Sequence, residues 1–141
     1  MNFKDINIGP MISKRALECN IDLSRLCNFF NCSSQDILNM YDAKSLDCEI
    51  LLKWCKILEY DFFRFYSQNL ILYSPVSADH KAKKAKEHSE MPYFRKNIYT
   101  REVIDFMLEM LEKGEKTKRQ IIEEYNIPKT TLHKWIVKNR K

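Results

Sequence analysis

Apolar residues recur three and four positions apart along most of this chain, which is the period of an α-helix lying against a core. In the first half the pattern divides at cap signals into five short helices. Pro10 stands near a first helical position and is followed by Met11, Ile12, Ala16 and Cys19, which predicts the first. Asp22 can cap a second helix carrying Leu23, Leu26, Cys27 and Phe30 inward, and Asn31 can end it in a left-handed conformation. Ser33 and Asp36 have the spacing of a capping box and open the third. Asp47 begins a fourth with Ile50, Leu51, Trp54, Cys55 and Leu58 inside, and Asp61 a fifth rich in Phe62, Phe63, Phe65 and Tyr66.

The period breaks over residues 74–97, where large apolar side chains are almost absent before Met91 and Lys81, Lys83, Lys84 and Lys86 cluster. The stretch reads as a basic linker: a solvated spacer, or an arm that tracks phosphates. Helical spacing then resumes. Thr100 can cap a helix with Val103, Ile104, Met107, Leu108 and Leu111 inside, and Gly114 stops it. Thr117 and Gln120 form a second capping-box spacing, ahead of Ile121, Ile122 and Tyr125. Asn126 and Ile127 make a tight turn, and Pro128 starts a last helix with Leu132, Trp135 and Ile136 inside. The expected fold is all-α: two small helix-turn-helix domains, residues 1–73 and 98–141, joined by the basic linker.

Two glycines and four prolines in 141 residues agree with helices rather than a turn-rich β fold. Net charge is +5, and its distribution is uneven. Up to Tyr73 there are 8 basic and 9 acidic side chains, and beyond it 16 and 10. The positive surplus therefore lies in the second half, where it would draw a polyanion. No apolar run is long enough to span a bilayer, and the N-terminus is mixed and polar, so the expected location is cytoplasmic, at the nucleoid, with no membrane partner. The five cysteines form no C-x-x-C pair and lie far in sequence from the three histidines. They are read as small buried hydrophobes, with no metal site and no cofactor.

The last helix carries the candidate chemistry. Lys129, Thr130, His133, Lys134 and Val137 point away from Leu132 and Ile136, and from Pro128 onward there are five basic residues and no acidic one. Such a face suits the major groove, with Lys129, Thr130, His133 and Lys134 at base edges and Lys138, Arg140 and Lys141 at phosphates. Lys118 and Arg119 begin the preceding helix, whose N-terminus also attracts phosphate.

The stretch YTREVIDFMLEMLEKGEKTKRQIIEEYNIPKTTLHKWIVKNRK resembles the homeodomain-like helix-turn-helix of insertion-sequence transposases, through the spacing of Ile121, Tyr125, Ile127, Thr131, Leu132 and Trp135. Pro128 stands where that family usually has serine. The stretch IDLSRLCNFFNCSSQDILNMYDAKSLDCEILLKWCKILEYDFFRF resembles the lambda-repressor and Cro type of helix-turn-helix domain, through Leu26, Ser33, Ile37, Leu51, Leu58 and Tyr60. That likeness implies a recognition helix over residues 34–41 exposing Ser34, Gln35 and Asn39, whose amides pair with adenine. Asn31 replaces the family's turn glycine, and few Lys or Arg lie in this half to meet phosphates.

The expected function is sequence-specific binding of double-stranded DNA by a non-catalytic transcriptional regulator. Two alternatives stand beside it. The transposase likeness implies a DNA-binding subunit working with a separate transposase or recombinase chain, since no carboxylate cluster here looks able to hold two metal ions. The aromatic fifth helix leaves open a protein-interaction module, with residues 1–73 forming a homodimer.

Overall fold

The computed structural model describes residues 3–74, 90–92 and 99–139. Among these, eight helices and no strand are found, so the chain is all-α. The helices are α1 (Ile8–Glu18), α2 (Leu23–Phe30), α3 (Ser34–Asp42), α4 (Cys48–Ile57), α5 (Phe63–Tyr73), α6 (Arg101–Glu112), α7 (Lys118–Tyr125) and α8 (Lys129–Asn139). No described helix is long and apolar enough to cross a membrane. The linker lysines Lys81, Lys83, Lys84 and Lys86 lie outside the described residues, as do Arg140 and Lys141.

Two compact units emerge, Asn2–Tyr66 and Ser67–Lys141. The division falls inside α5, ahead of the boundary expected where the helical period breaks after Tyr73. Tyr73 has Tyr125, Lys116 and Glu124 as electrostatic neighbours, so the end of α5 belongs to the C-terminal unit. Burial pushes the Tyr73 phenol up from its ordinary value, and the Tyr125 phenol adds to this.

In the N-terminal unit α3 packs against both α1 and α2. The core comprises Phe3, Ile8, Ile12, Ala16, Leu26, Ile37, Leu51, Trp54, Leu58, Phe62 and Phe65. Trp54 is wholly buried, with the Phe30 ring centred 4.4 Å away and the Tyr41 ring 5.7 Å away. Gly9 is also buried, at the start of α1. Its N–H donates to the Ala43 carbonyl (3.0 Å) and that of Ile8 to the Lys44 carbonyl (3.2 Å). The first amides of α1 thereby satisfy carbonyls just past the end of α3, so two helix termini cap one another.

The cap signals are met unevenly. Asn31 closes α2 at φ 52°, and the capping box of Ser33 and Asp36 starts α3. Asp47 accepts the Glu49 amide and Asp61 the Phe63 amide. Asp22 stands at the N-cap of α2 without capping it, its carboxylate taking the Ser24 hydroxyl instead. Leu23, expected to face inward, is 37% exposed. It is the first residue of α2, a turn ahead of Leu26, and overhangs the core that Leu26 reaches.

Hydrogen bonds from the Ser33 hydroxyl and the Ser33 amide hold the Asp36 carboxyl below the usual carboxylate range. A depressed folded-state pKa contributes stability above the unfolded value, and that contribution is lost as pH falls through the folded one. Ser33→Ala should therefore lower the melting temperature at neutral pH and have less effect in acid, where Asp36 is protonated in either protein. An equal loss at both pH values would remove Asp36 from the cap.

Candidate nucleic-acid interface

The C-terminal unit has its own core of Val103, Met107, Met110, Ile121, Tyr125, Ile127 and Leu132, with α6 and α7 both packed against α8. Buried Tyr125 donates its hydroxyl to the Met110 sulfur at 3.8 Å, and the Lys116 ammonium lies 5.1 Å from its ring centre. Met110 is not among the residues expected inside α6, although it lies three positions after Met107 and seven after Val103 on the face they bury. The Tyr99 and Trp135 rings meet edge-on at 4.9 Å, holding the middle of α8.

Both ends of α7 follow local chemistry. Thr117 accepts the Gln120 amide at 3.3 Å and Gln120 accepts the Thr117 amide at 2.8 Å, completing the box. At its other end Asn126 takes φ 52°, ψ 42°, the left-handed conformation that asparagine tolerates better than most residues. Ile127 then drops into the core, 2% exposed, and anchors the turn. The Pro128 carbonyl accepts the amides of Thr131 (3.0 Å) and Leu132 (3.1 Å), which starts α8. Thr117→Ala is expected to cost about 1 kcal/mol of stability, the usual worth of such a cap. Thermal unfolding of the two proteins checks it.

Leu132 points α8 into this core, and the opposite side faces solvent. Lys129, Thr130, His133, Lys134, Val137 and Lys138 are all exposed. Spacings of three and four place Thr130, His133, Lys134, Val137 and Lys138 on one face. Val137 is 56% exposed, an apolar spot within a basic strip. None of Lys129, Lys134 and Lys138 enters an ion pair among the described residues. Asn139 ties off the last turn through a 2.9 Å bond from its side-chain amide to the Trp135 carbonyl.

The neighbouring cations are not equivalent to these. Lys118 and Arg119 are exposed at the start of α7, but Arg119 holds Glu123 at 2.8 Å. That bond raises the guanidinium further, yet both side chains are well exposed, so the pair is weak and can be exchanged for another anion. Lys116 is bound to Glu124 and packed over Tyr125, which makes it structural.

On α3, Ser34, Gln35 and Asn39 are exposed as expected. The Gln35 amide, however, donates to the Asn39 carbonyl oxygen at 3.0 Å, so the two groups offered to a base edge are partly spent on each other. Their i, i+4 spacing was the available signal for that bond. Leu38 lies between them, 45% exposed, and α3 has no lysine or arginine.

Among the described residues no group of three His, Cys, Asp or Glu side chains is placed to hold a metal ion. No family model, characterised protein or solved structure matches this chain in comparison with known proteins.

Proposed function

We propose that this chain binds double-stranded DNA sequence-specifically and acts as a non-catalytic regulator, with α7 and α8 working as a helix-turn-helix. The observation that supports this reading most directly is the outer face of α8. Lys134 and Lys138 share it with Thr130, His133 and Val137, and Lys129 stands beside it at the helix start. None of the three lysines is in an ion pair among the described residues, and no acidic residue follows Pro128. Ammonium and imidazole N–H groups match the acceptors of guanine, and the methyl groups of Thr130 and Val137 match thymine C5-methyl. Lys118 and Arg119 at the start of α7 add charge where amides that Thr117 does not cap can meet a phosphate.

The N-terminal unit has a smaller part in this reading. A helix without cations, whose amides bond each other, adds little to phosphate-driven affinity. The exposed Leu38 favours a protein contact for α3 instead.

Binding of the full-length chain to fluorescent random-sequence and selected duplexes, followed by anisotropy over a salt series, tests the proposal. A selected site should be bound more tightly than random DNA, with log affinity falling linearly with log salt. Thr130→Ala or His133→Ala should change which sequences are selected, whereas Lys138→Ala should weaken all duplexes alike. Binding without sequence preference at any salt would reduce the proposal to a generic polyanion surface.

A further inference from the structure

The end of α2 carries an arrangement that the DNA reading does not use. Asn31 closes that helix in the left-handed region, and the flanking residues complete a Schellman motif. The Cys32 amide donates to the Cys27 carbonyl at 3.1 Å, and the Asn31 amide to the Asn28 carbonyl at 3.4 Å. The two residues joined by the outer bond of this motif commonly bring their side chains into apolar contact across the helix end. Here both are cysteines. A 3.1 Å hydrogen bond, plus the covalent reach on either side, keeps their α-carbons within about 7 Å, the limit a disulfide allows. Both thiols are free and half-buried. The Cys27 sulfur lies 3.7 Å from the hydroxyl of Ser34, the first residue of α3.

The other three cysteines are placed differently. Cys19 directs its thiol at the Leu58 carbonyl, Cys55 accepts the Phe62 amide, and Cys48 is exposed at the start of α4.

We propose that Cys27 and Cys32 form a reversible dithiol–disulfide site in the turn between α2 and α3, with a small disulfide such as glutathione disulfide as its oxidant. The Ser34 hydroxyl, 3.7 Å away, can donate to a thiolate on Cys27, while burial, then Asp36, then Cys27 push the Cys32 thiol up, so Cys27 attacks first. The Cys27 thiolate bonds to one glutathione sulfur, and the S–S bond breaks to release the other glutathione as thiolate, which takes a proton. Cys32 then loses its proton to solvent and attacks the Cys27 sulfur, expelling the second glutathione. Two electrons pass from the cysteine pair to glutathione disulfide, which leaves as two molecules of glutathione. The bridge would lock the turn that presents Ser34, Gln35 and Asn39.

Trypsin releases both cysteines, and no others, in one peptide, residues 26–44, between Arg25 and Lys44. The full-length protein is equilibrated in glutathione redox buffers, alkylated, digested and weighed. In oxidising buffer the peptide should be lighter than the dithiol form by two hydrogens, unalkylated, and restored by dithiothreitol. Cys32→Ser should instead retain one glutathione on Cys27. The folded protein should form the bridge on the order of tenfold more readily than the same protein in urea, because the motif raises the effective concentration of one thiol at the other. The proposal is overturned if the wild-type peptide stays fully alkylatable in oxidising buffer or retains glutathione as Cys32→Ser does. Equal oxidation in urea overturns it too.

Discussion

Replacing Gly9 by alanine is expected to destabilise the N-terminal unit by about 3 kcal/mol or more, in the range reserved for disruption of tightly packed sites. A β-carbon at position 9 would lie 2.5 Å from each of the carbonyl oxygens of Met40, Tyr41 and Ala43. All three are backbone atoms at the end of α3, so no side chain can rotate out of the way. Relief requires α1 to withdraw from α3, which stretches the bonds from Ile8 and Gly9 to Lys44 and Ala43 and exposes Ile8 and Ile12. Each buried bond lost adds about 1 kcal/mol to the steric cost.

Gly114→Ala is the matched control. Nothing lies within 4 Å of its added β-carbon, so only the left-handed backbone at φ 69° opposes it, at about 1 kcal/mol. The chain has two tryptophans, Trp54 in the N-terminal unit and Trp135 in the C-terminal one, so Gly9→Ala is read by Trp54 in a Trp135→Phe background and Gly114→Ala by Trp135 in a Trp54→Phe background, each against its own parent. Urea titrations should then show a far larger loss for Gly9→Ala than for Gly114→Ala. If the two losses coincide, the approach of α1 to α3 is looser than the distances require.

Reversing charge at Lys129 and Lys134 together is the second large effect expected. Two contacts worth about 1–3 kcal/mol each should weaken DNA binding by roughly a hundredfold or more at moderate salt. Because both lysines are assigned to base edges, the preference for the selected site over random DNA should relax with the affinity. Because both side chains are exposed and outside ion pairs among the described residues, thermal stability should hardly change. That separates loss of a contact from loss of the fold. Lys14→Glu with Lys53→Glu makes the same charge change on exposed positions of the N-terminal unit and should leave affinity within a few-fold. Comparable losses from both double variants would mean that net charge, and not the α8 face, governs binding.

These expectations rest on different depths of information. The helices were legible because their signals are local. Ser33 with Asp36, Thr117 with Gln120, and the left-handed Asn31 and Asn126 act within one turn of their own positions, and each took the conformation its chemistry favours. The exposed strip of α8 was legible for a similar reason. Leu132 fixes the buried side of the helix, and spacings of three and four then place Thr130, His133, Lys134 and Val137 on the other.

What the sequence left open depends on groups distant along the chain. Nothing near Gly9 in the sequence marks it, because the carbonyls that come up against its α-carbon lie at the end of α3, more than thirty positions on. Lys116 is engaged by Glu124 and the Tyr125 ring, eight and nine positions further on, which sets it apart from the exposed cations of α8. At Cys27 and Cys32 a local motif and the neighbouring helix act together: Asn31 turns the chain, and the start of α3 adds Ser34 beside the sulfur. Periodicity and caps reside in neighbouring residues, and the sequence by itself determined the helices and the basic face of the last one. Close approach of backbones and pairing across elements depend on how helices pack, and only the tertiary structure decided those.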